Sequence, residues 1–376
     1  MSKNVVKVLG IETSCDETAV AIVEASIDSS LNFQNKKILA NNILSQIDIH
    51  KEFGGVVPEV AARNHLDVID VMVEKTLKNA NLSYEQIDAI SATSGPGLIG
   101  GVIVGMTTGK IIASIHKKPF IAINHLEGHA LTARFLDTLE FPYLLLLVSG
   151  GHCQILITEG VGQYKKLGET IDDAVGEAFD KVAQMLGLEY PGGPKIEEFA
   201  KSGNENRFPL PKPLLPSKTN SGKGHKFNFS FSGLKTAVRR EIEKLTKQSF
   251  ESQFSCAKLS KQDIHDICAS FQKTVADIIT DRLANVVKML KNNNFSQNQK
   301  LIDTLVIAGG VAANQYIKSK VENAVKKYNF KVITPPILLC TDNGIMVAWA
   351  GLENFVLGKI NKLDFDPKAN WELEDI

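Results

Sequence analysis

Cysteine is scarce in this chain, and its few copies are arranged in no useful pattern. Cys15, Cys153, Cys256, Cys268 and Cys340 are odd in number, scattered, and form no C-x-x-C. No disulfide framework is implied, and free thiols in a reducing compartment are expected. An excess of charge is also missing: Lys+Arg and Asp+Glu are both 42. Net charge therefore argues neither for nor against a nucleic-acid partner, and any basic patch must be local. No apolar run approaches the length of a membrane span. Met1-Ser-Lys-Asn leads straight into a strand-like pattern, without a signal peptide or an Arg-rich transit segment. A soluble, cytoplasmic protein without a membrane partner is expected. With 376 residues, 44% hydrophobic and 22% charged, the chain is large enough for two lobes with separate cores.

The order of elements suggests such a pair. Val5–Ile11 reads as a strand, residues 12–18 as a polar turn rich in hydroxyls and carboxylates, and Ala19–Val23 as the returning strand. A weaker strand near Ile38, a helix from Pro58 to Leu77, a strand Ile87–Ala92, a glycine-rich turn and a helix Val102–Ile115 follow. The pattern then restarts. Tyr143–Val148 and Cys153–Ile157 form a hairpin, with a further strand at Tyr164. Helices are expected at Ile171–Leu186, near Ile264–Asn292, at Ala312–Lys326 and at Asp342–Leu357, and strands at Thr304–Ala308 and Phe330–Thr334. The repeat, roughly 135 residues apart, argues for two related α/β lobes with a ligand cleft between them. The expected boundaries are an N-terminal lobe 1–140, a C-terminal lobe 141–340 with a basic excursion at 201–240, and a closing helix in 341–376 that can return to the first lobe.

The stretch that organises the chain is His125-Leu126-Glu127-Gly128-His129. On a helix, histidines four apart project from one face about a turn apart and can share a metal ion. Neutral imidazole suits Zn, Fe, Ni or Cu better than Mg or Ca. The familiar metal pair at this spacing carries a Glu directly after the first His, as general base in peptide hydrolysis. Leu126 holds that place here and Glu127 sits one residue further round, which weakens a peptidase reading. The pair follows a short apolar strand, Pro119–Asn124, and so lies where open α/β folds place their ligands. Two solvated histidines at a helix start are the plain alternative. Asp342, opening the last helix, is placed either as its N-cap or as the carboxylate completing a two-His, one-carboxylate metal site.

Other motifs point to an electron-rich ligand. Ser149-Gly150-Gly151 closes a very apolar strand, where backbone N–H groups can approach an anion; a hairpin turn explains it equally. Gly309-Gly310 before a helix repeats the device, with close strand–helix packing as the alternative. Asp173, Glu177 and Asp180 fall at spacings of four and three. Three carboxylates on one helix face repel by a few tenths of a kcal/mol per pair, so a cation or a hydroxyl-rich ligand, or merely solvent, faces them. Tyr190–Glu197 reads as a rigid glycine-bearing loop. Lys235, Arg239 and Arg240, with Lys218, Lys223 and Lys226, make the most basic local stretch, suited to nucleic-acid phosphate or to bulk water.

Taken together the motifs resemble one family closely: the tRNA N6-adenosine threonylcarbamoyltransferases, the bacterial TsaD type, once labelled O-sialoglycoprotein endopeptidases. The matching stretches are Gly10-Ile-Glu-Thr-Ser-Cys-Asp-Glu-Thr18, Gly95-Pro-Gly-Leu98, Asn124–His129, Val148-Ser-Gly-Gly-His152, Gly168–Ala174, Glu177-Ala-Phe-Asp-Lys181, Tyr190–Pro194, Phe229–Lys235, Gly309–Asn314 and Thr341-Asp-Asn-Gly344. They are collinear over almost the whole chain, and departures are confined to insertions near 26–37, 244–261 and 291–300.

The resemblance implies a two-lobed actin/Hsp70/sugar-kinase-like (ASKHA) fold. It also implies transfer of threonylcarbamoyl from threonylcarbamoyl-AMP to the exocyclic amine of the adenosine 3′ to the anticodon, in tRNAs reading codons that begin with A, with release of AMP. It implies one divalent metal, Fe(2+) before Zn(2+), on His125, His129 and Asp342. Leu147, Val148, Ser149, Gly150 and Gly151 would contact the adenylate; Asp180, Gly193 and Glu197 the ribose and its surroundings; Asn314 the adenine side. Partners implied are tRNA, a paralogous TsaB-like subunit and a TsaE-like ATPase. No protein nucleophile is assigned, since the anhydride is already activated. A metal-dependent peptidase would need a base beside the metal, and a non-catalytic scaffold paralogue would be expected to lack the histidine pair that this chain keeps.

Overall fold

The computed structural model describes residues 5–215, 225–247, 259–292 and 301–376. Lys218, Lys223 and Cys256 lie outside the described residues. The chain divides into two compact units, one of Met1–Phe141, Glu159–Tyr164 and Thr341–Ile376, the other of Pro142–Thr158 and Lys165–Cys340.

In the first unit β1 (Val5–Glu12) pairs antiparallel with β2 (Glu17–Ile27), which pairs with β3 (Phe33–Ser45). On its other side β1 runs parallel to β4 (Ala89–Gly95), and β4 to β5 (Phe120–Asn124), giving the order β3-β2-β1-β4-β5. From Val8 to Glu12 every residue of β1 is buried, as expected of a central strand covered on both faces. Helix α1 (Pro58–Ala80) starts on a proline, whose missing N–H is harmless at a first turn, and ends on Asn81 in the left-handed region. Helix α2 (Ile99–Ile115) lies unusually close to the turn after β1. A Cβ at Gly101 or Gly105 would come within 2.2 Å of the Thr13 carbonyl oxygen or hydroxyl, and the Thr13 hydroxyl donates to the Gly101 carbonyl at 2.8 Å. Helix α3 (His125–Leu136) opens at the end of β5. Its cap, Asn124, accepts the Leu126 N–H at 2.9 Å and donates to the Trp371 carbonyl at 2.9 Å.

The second unit repeats the plan. β6 (Tyr143–Val148), wholly buried, pairs antiparallel with β7 (Cys153–Gly160) and parallel with β9 (Thr304–Ala308). With β8 (Gln163–Glu169) and β10 (Lys331–Ile333) the order is β10-β9-β6-β7-β8. Numbered from its own first strand, this sheet has the order of the first. Its helices are α4 (Val175–Met185), α5 (Gly192–Ala200), α6 (Ser232–Thr246), α7 (Lys261–Asn292) and α8 (Gln315–Lys326). Phe179 of α4 meets Phe271 of α7 edge-on at 5.0 Å in its core. The chain then re-enters the first unit with α9 (Gly344–Val356).

Helix α9 rests on β1, because Gly10 leaves room for its backbone: a Cβ there would stand 2.3 Å from the Ala348 nitrogen. It is also tied to α3. Arg134 of α3 reaches both carboxylate oxygens of the buried Glu353 at 3.0 Å, and donates to the Leu139 carbonyl.

Three expectations from the sequence are corrected. The helix expected from Ile171 starts at Val175, so Asp173 precedes it and the three-carboxylate face does not form. The segment Tyr190–Glu197 is not a loop throughout; from Gly192 it is α5. A 3-10 turn, Gly310–Ala313, replaces the start of the helix expected at Ala312.

Gly10→Ala must push α9 off β1, an overpacking expected to lower stability by about 1–3 kcal/mol, measurable as a reduced denaturation midpoint with the m-value unchanged.

Candidate functional site

The last residues of β1, the first turn of α3 and the residue pair before α9 converge within the first unit. His125 and His129, one turn apart, stand with rings perpendicular (89°) and centroids 4.8 Å apart. Asp342 Oδ1 lies 3.4 Å from His125 Nε2 and 3.0 Å from His129 Nε2. One ligand atom from each of the three falls within 4.8 Å of the others. The cap reading of Asp342 does not hold. The cap of α9 is Asn343, whose side chain accepts the Met346 N–H at 3.0 Å, so Asp342 is free of that duty and faces the imidazoles.

Charge explains the packing. Burial opposes ionisation of Glu12, yet His125 beside it, aided by Ser14, holds the carboxyl below its ordinary range. Burial likewise opposes charge on Asp342, and the two imidazoles pull its carboxyl far lower. Burial disfavours a cationic His125, but Asp342 and Glu12 raise it well above the usual imidazole value. Buried Glu12 and half-buried Asp342 thus set two carboxylates against the two imidazoles. The donor set of two neutral nitrogens and a carboxylate oxygen fits a divalent transition metal, and His129 Nδ1 is left buried without a partner.

Other nearby groups are otherwise engaged. Glu127 does not face the histidines; it is buried and accepts from the Gly162 N–H (2.8 Å), the Tyr164 hydroxyl (3.0 Å) and the Asn354 amide (3.2 Å). Ser14 Oγ and Glu12 Oε2 both approach the same His125 nitrogen, Nδ1, at 3.1 Å. A serine relay needs the hydroxyl and the carboxylate on opposite nitrogens. Burial and the neighbouring Asp16 raise the Cys15 thiol well above its ordinary value, so it is no thiolate nucleophile.

In the second unit the turn Ser149–His152 closes on itself. The Ser149 N–H donates to the His152 carbonyl (2.8 Å) and the His152 N–H to the Ser149 hydroxyl (3.1 Å). Gly150 and Gly151 are exposed with open space around them. Leu147 and Val148 are fully buried in β6. Gly309, at φ 90°, packs on the Val148 carbonyl, where a Cβ would stand 2.4 Å away. Asp180 accepts the Gly192 N–H at 2.8 Å, which fixes the first turn of α5 and with it Gly193. Glu197 of α5 accepts the Gln315 N–H at 2.8 Å, next to Asn314. Asn314 caps α8 through the Ile317 N–H and donates to Gln272 at 2.9 Å. Glu197, Gln272, Gln315 and Tyr316 line a cavity of about 440 Å³. Asp180, Gly193, Glu197 and Asn314 are thus gathered on one hydrogen-bonded frame.

A family profile described as TsaD, tRNA N6-adenosine threonylcarbamoyltransferase, matches residues 37–349. A protein of that description from Rhizobium johnstonii is 50% identical over 369 residues, covering 98% of this chain and 94% of its own. Another from Rhodospirillum rubrum is 50% identical over 368 residues, covering 98% and 95%. The chain belongs to this family. Among solved structures, HypF from T. kodakarensis covers 95% of this chain and 49% of its own, with a TM-score of 0.53 at 12% identity; this likeness concerns fold alone. The fold is the two-lobed α/β architecture of the actin/Hsp70/sugar-kinase type. Among the described residues no helix is long and apolar enough to cross a membrane.

Lys235 pairs with Asp173 and Arg239 with Glu243, so both cations are already matched. Sequence reasoning also passed over Glu12 and Ser14 as individuals, although the cluster of hydroxyls and carboxylates at residues 12–18 was the signal.

Asn343→Ala should remove the α9 cap and lower stability by about 1 kcal/mol, read by denaturation of the metal-free chain.

Proposed function

We propose that this chain transfers threonylcarbamoyl from threonylcarbamoyl-AMP to the exocyclic amine of the adenosine 3′ to the anticodon, releasing AMP. Family membership over 98% of the chain carries the reading; the His125, His129 and Asp342 cluster is the feature that would serve the chemistry. These three residues hold one divalent metal, Fe(2+) first and Zn(2+) second. When bound, such an ion supplies Lewis acidity and a fixed positive charge for the acyl oxygens.

The rest falls to the chain's own groups. The Ser149–Gly151 turn offers open backbone to the adenylate's anionic part, as its exposed glycines suit. Asp180, Gly193 and Glu197 address the ribose, and Asn314 the adenine side, beside the cavity under Gln272 and Gln315. Catalysis here is placement: the amine nitrogen attacks a carbonyl already activated by its phosphate, and the nucleotide leaves as AMP. No acyl-enzyme is required, in keeping with a Ser14 hydroxyl and Glu12 that share one imidazole nitrogen. Glu127, locked by three hydrogen bonds, offers no base for the peptidase reading.

The wider context follows from the family: cytoplasmic, acting on tRNA, with a paralogous TsaB-like subunit and a TsaE-like ATPase as partners. A protein partner in the first unit is supported by Ile103, Ile111 and Ile115 of α2 and Leu66 of α1, all exposed. The test of the whole is purified chain with threonylcarbamoyl-adenylate and tRNA, with and without added partners, read by nucleoside mass spectrometry; no modified adenosine in any combination refutes it.

Two predictions test the metal residues and the nucleotide residues separately. His125→Ala, His129→Ala and Asp342→Ala should each lose bound metal by elemental analysis and abolish transfer, while AMP still binds. Full metal in the Asp342 variant would remove it from the ligand set. Asp180→Ala should weaken AMP binding by about 1.5–3 kcal/mol, the worth of hydrogen bonds to a charged group, with metal content unchanged; calorimetry showing equal affinity would remove Asp180.

A further inference from the structure

We infer that Glu12 is the positioning residue that decides which nitrogen of His125 is offered to a metal. The inference rests on the metal reading above. Glu12 is the last residue of β1, fully buried, and its two oxygens serve three separate groups. Oε1 accepts the Ser14 backbone N–H at 2.6 Å. Oε2 accepts the Thr93 hydroxyl at 2.5 Å and faces His125 Nδ1 at 3.1 Å. The Ser14 N–H can only donate, and the Thr93 hydroxyl points its proton at the carboxylate. A carboxylate, which only accepts, therefore satisfies all three at once when His125 carries its proton on Nδ1.

That assignment leaves Nε2 as the nitrogen with the free lone pair, and Nε2 is the atom that faces Asp342. Ligating histidines are commonly held in this way by a carboxylate on the other nitrogen, which fixes tautomer and ring orientation. His129 has no such support, since its Nδ1 is buried without a partner. The burden of preorganisation falls on Glu12 and His125.

A glutamine of the same shape cannot replace it. With its amide oxygen toward His125, the amide nitrogen confronts the Ser14 N–H, donor against donor. Turned over, the nitrogen confronts Nδ1, and the imidazole proton is driven to Nε2, where it blocks ligation. One orientation breaks the Ser14 bond; the other reverses the bond to His125.

The test uses the full chain with Zn(II) alone as probe, in competition with a chromophoric chelator, for wild type, Glu12→Gln and Thr93→Val. Wild type should bind one equivalent, and Glu12→Gln about 10–100-fold more weakly. Thr93→Val keeps the carboxylate but frees it from the hydroxyl; it should fall between, and it carries the test should Glu12→Gln fail to fold. In ¹⁵N-histidine spectra of the Zn(II)-loaded wild type, His125 should be protonated on Nδ1 and metal-bound through Nε2. A loss of packing alone would not move that assignment. Ligation through Nδ1, or a folded Glu12→Gln with wild-type affinity, overturns the inference and leaves the metal site standing. A wild type that takes up no Zn(II) or Fe(II) overturns the metal reading, and the inference falls with it.

Discussion

Two carboxylates, Glu12 and Asp342, are brought toward a shared pair of imidazoles inside the first unit, and much of that unit serves to keep them there. Burying one such ion without compensation costs several kcal/mol. The offset comes from His125 between the two carboxylates and from the Ser14 and Thr93 bonds to Glu12. These contacts require three elements to arrive in register. The close approach of α2 at Gly101 and Gly105 seats the turn after β1, Gly10 admits α9 against β1, and the Arg134–Glu353 pair ties α9 to α3. Losing one partner of a buried pair of that kind is costly, about 3–5 kcal/mol.

Much of this was legible in the sequence, and the failures have identifiable physics. Apolar runs flanked by turns marked β1, β4, β5, β6 and β9 because buried parallel strands carry little else. The histidine spacing marked one face of a helix, and the repeat marked the duplication, since equal sheets need equal patterns. Helix starts were read too early at Ile171, Ala312 and Asp342. In each case a short polar or small residue that suits a first turn belongs instead to the connection before it. Asn343 shows why: it and Asp342 are both good caps by composition, and only the backbone geometry selects one. Helix α5 was missed because Pro-Gly-Gly-Pro reads as a turn, while its apolar face, Ile196 and Ala200 among others, is too short to register as periodic.

Glu12 illustrates a different limit. A carboxylate in a polar turn cannot be told from a solvated one by sequence. Its value comes from Thr93 and His125, which lie 81 and 113 positions away. Long-range convergence of that sort is a property of topology, and β1, β4 and β5 being neighbours in the sheet is what produces it.

The duplication has one further consequence. In each unit the first two strands are antiparallel and joined by a short turn, residues 13–16 after β1 and residues 149–152 after β6. The scaffold is the same, yet the two turns are loaded oppositely. The first is bracketed by Glu12, Asp16 and Glu17, and burial together with Asp342 and Asp16 raises the Glu17 carboxyl well above its ordinary range; such a turn seeks positive charge. The second is Ser-Gly-Gly-His, with no acid and with Gly150 and Gly151 exposed, a turn whose glycine backbone suits an anion. One architecture is thus copied and then given opposite polarity at equivalent turns.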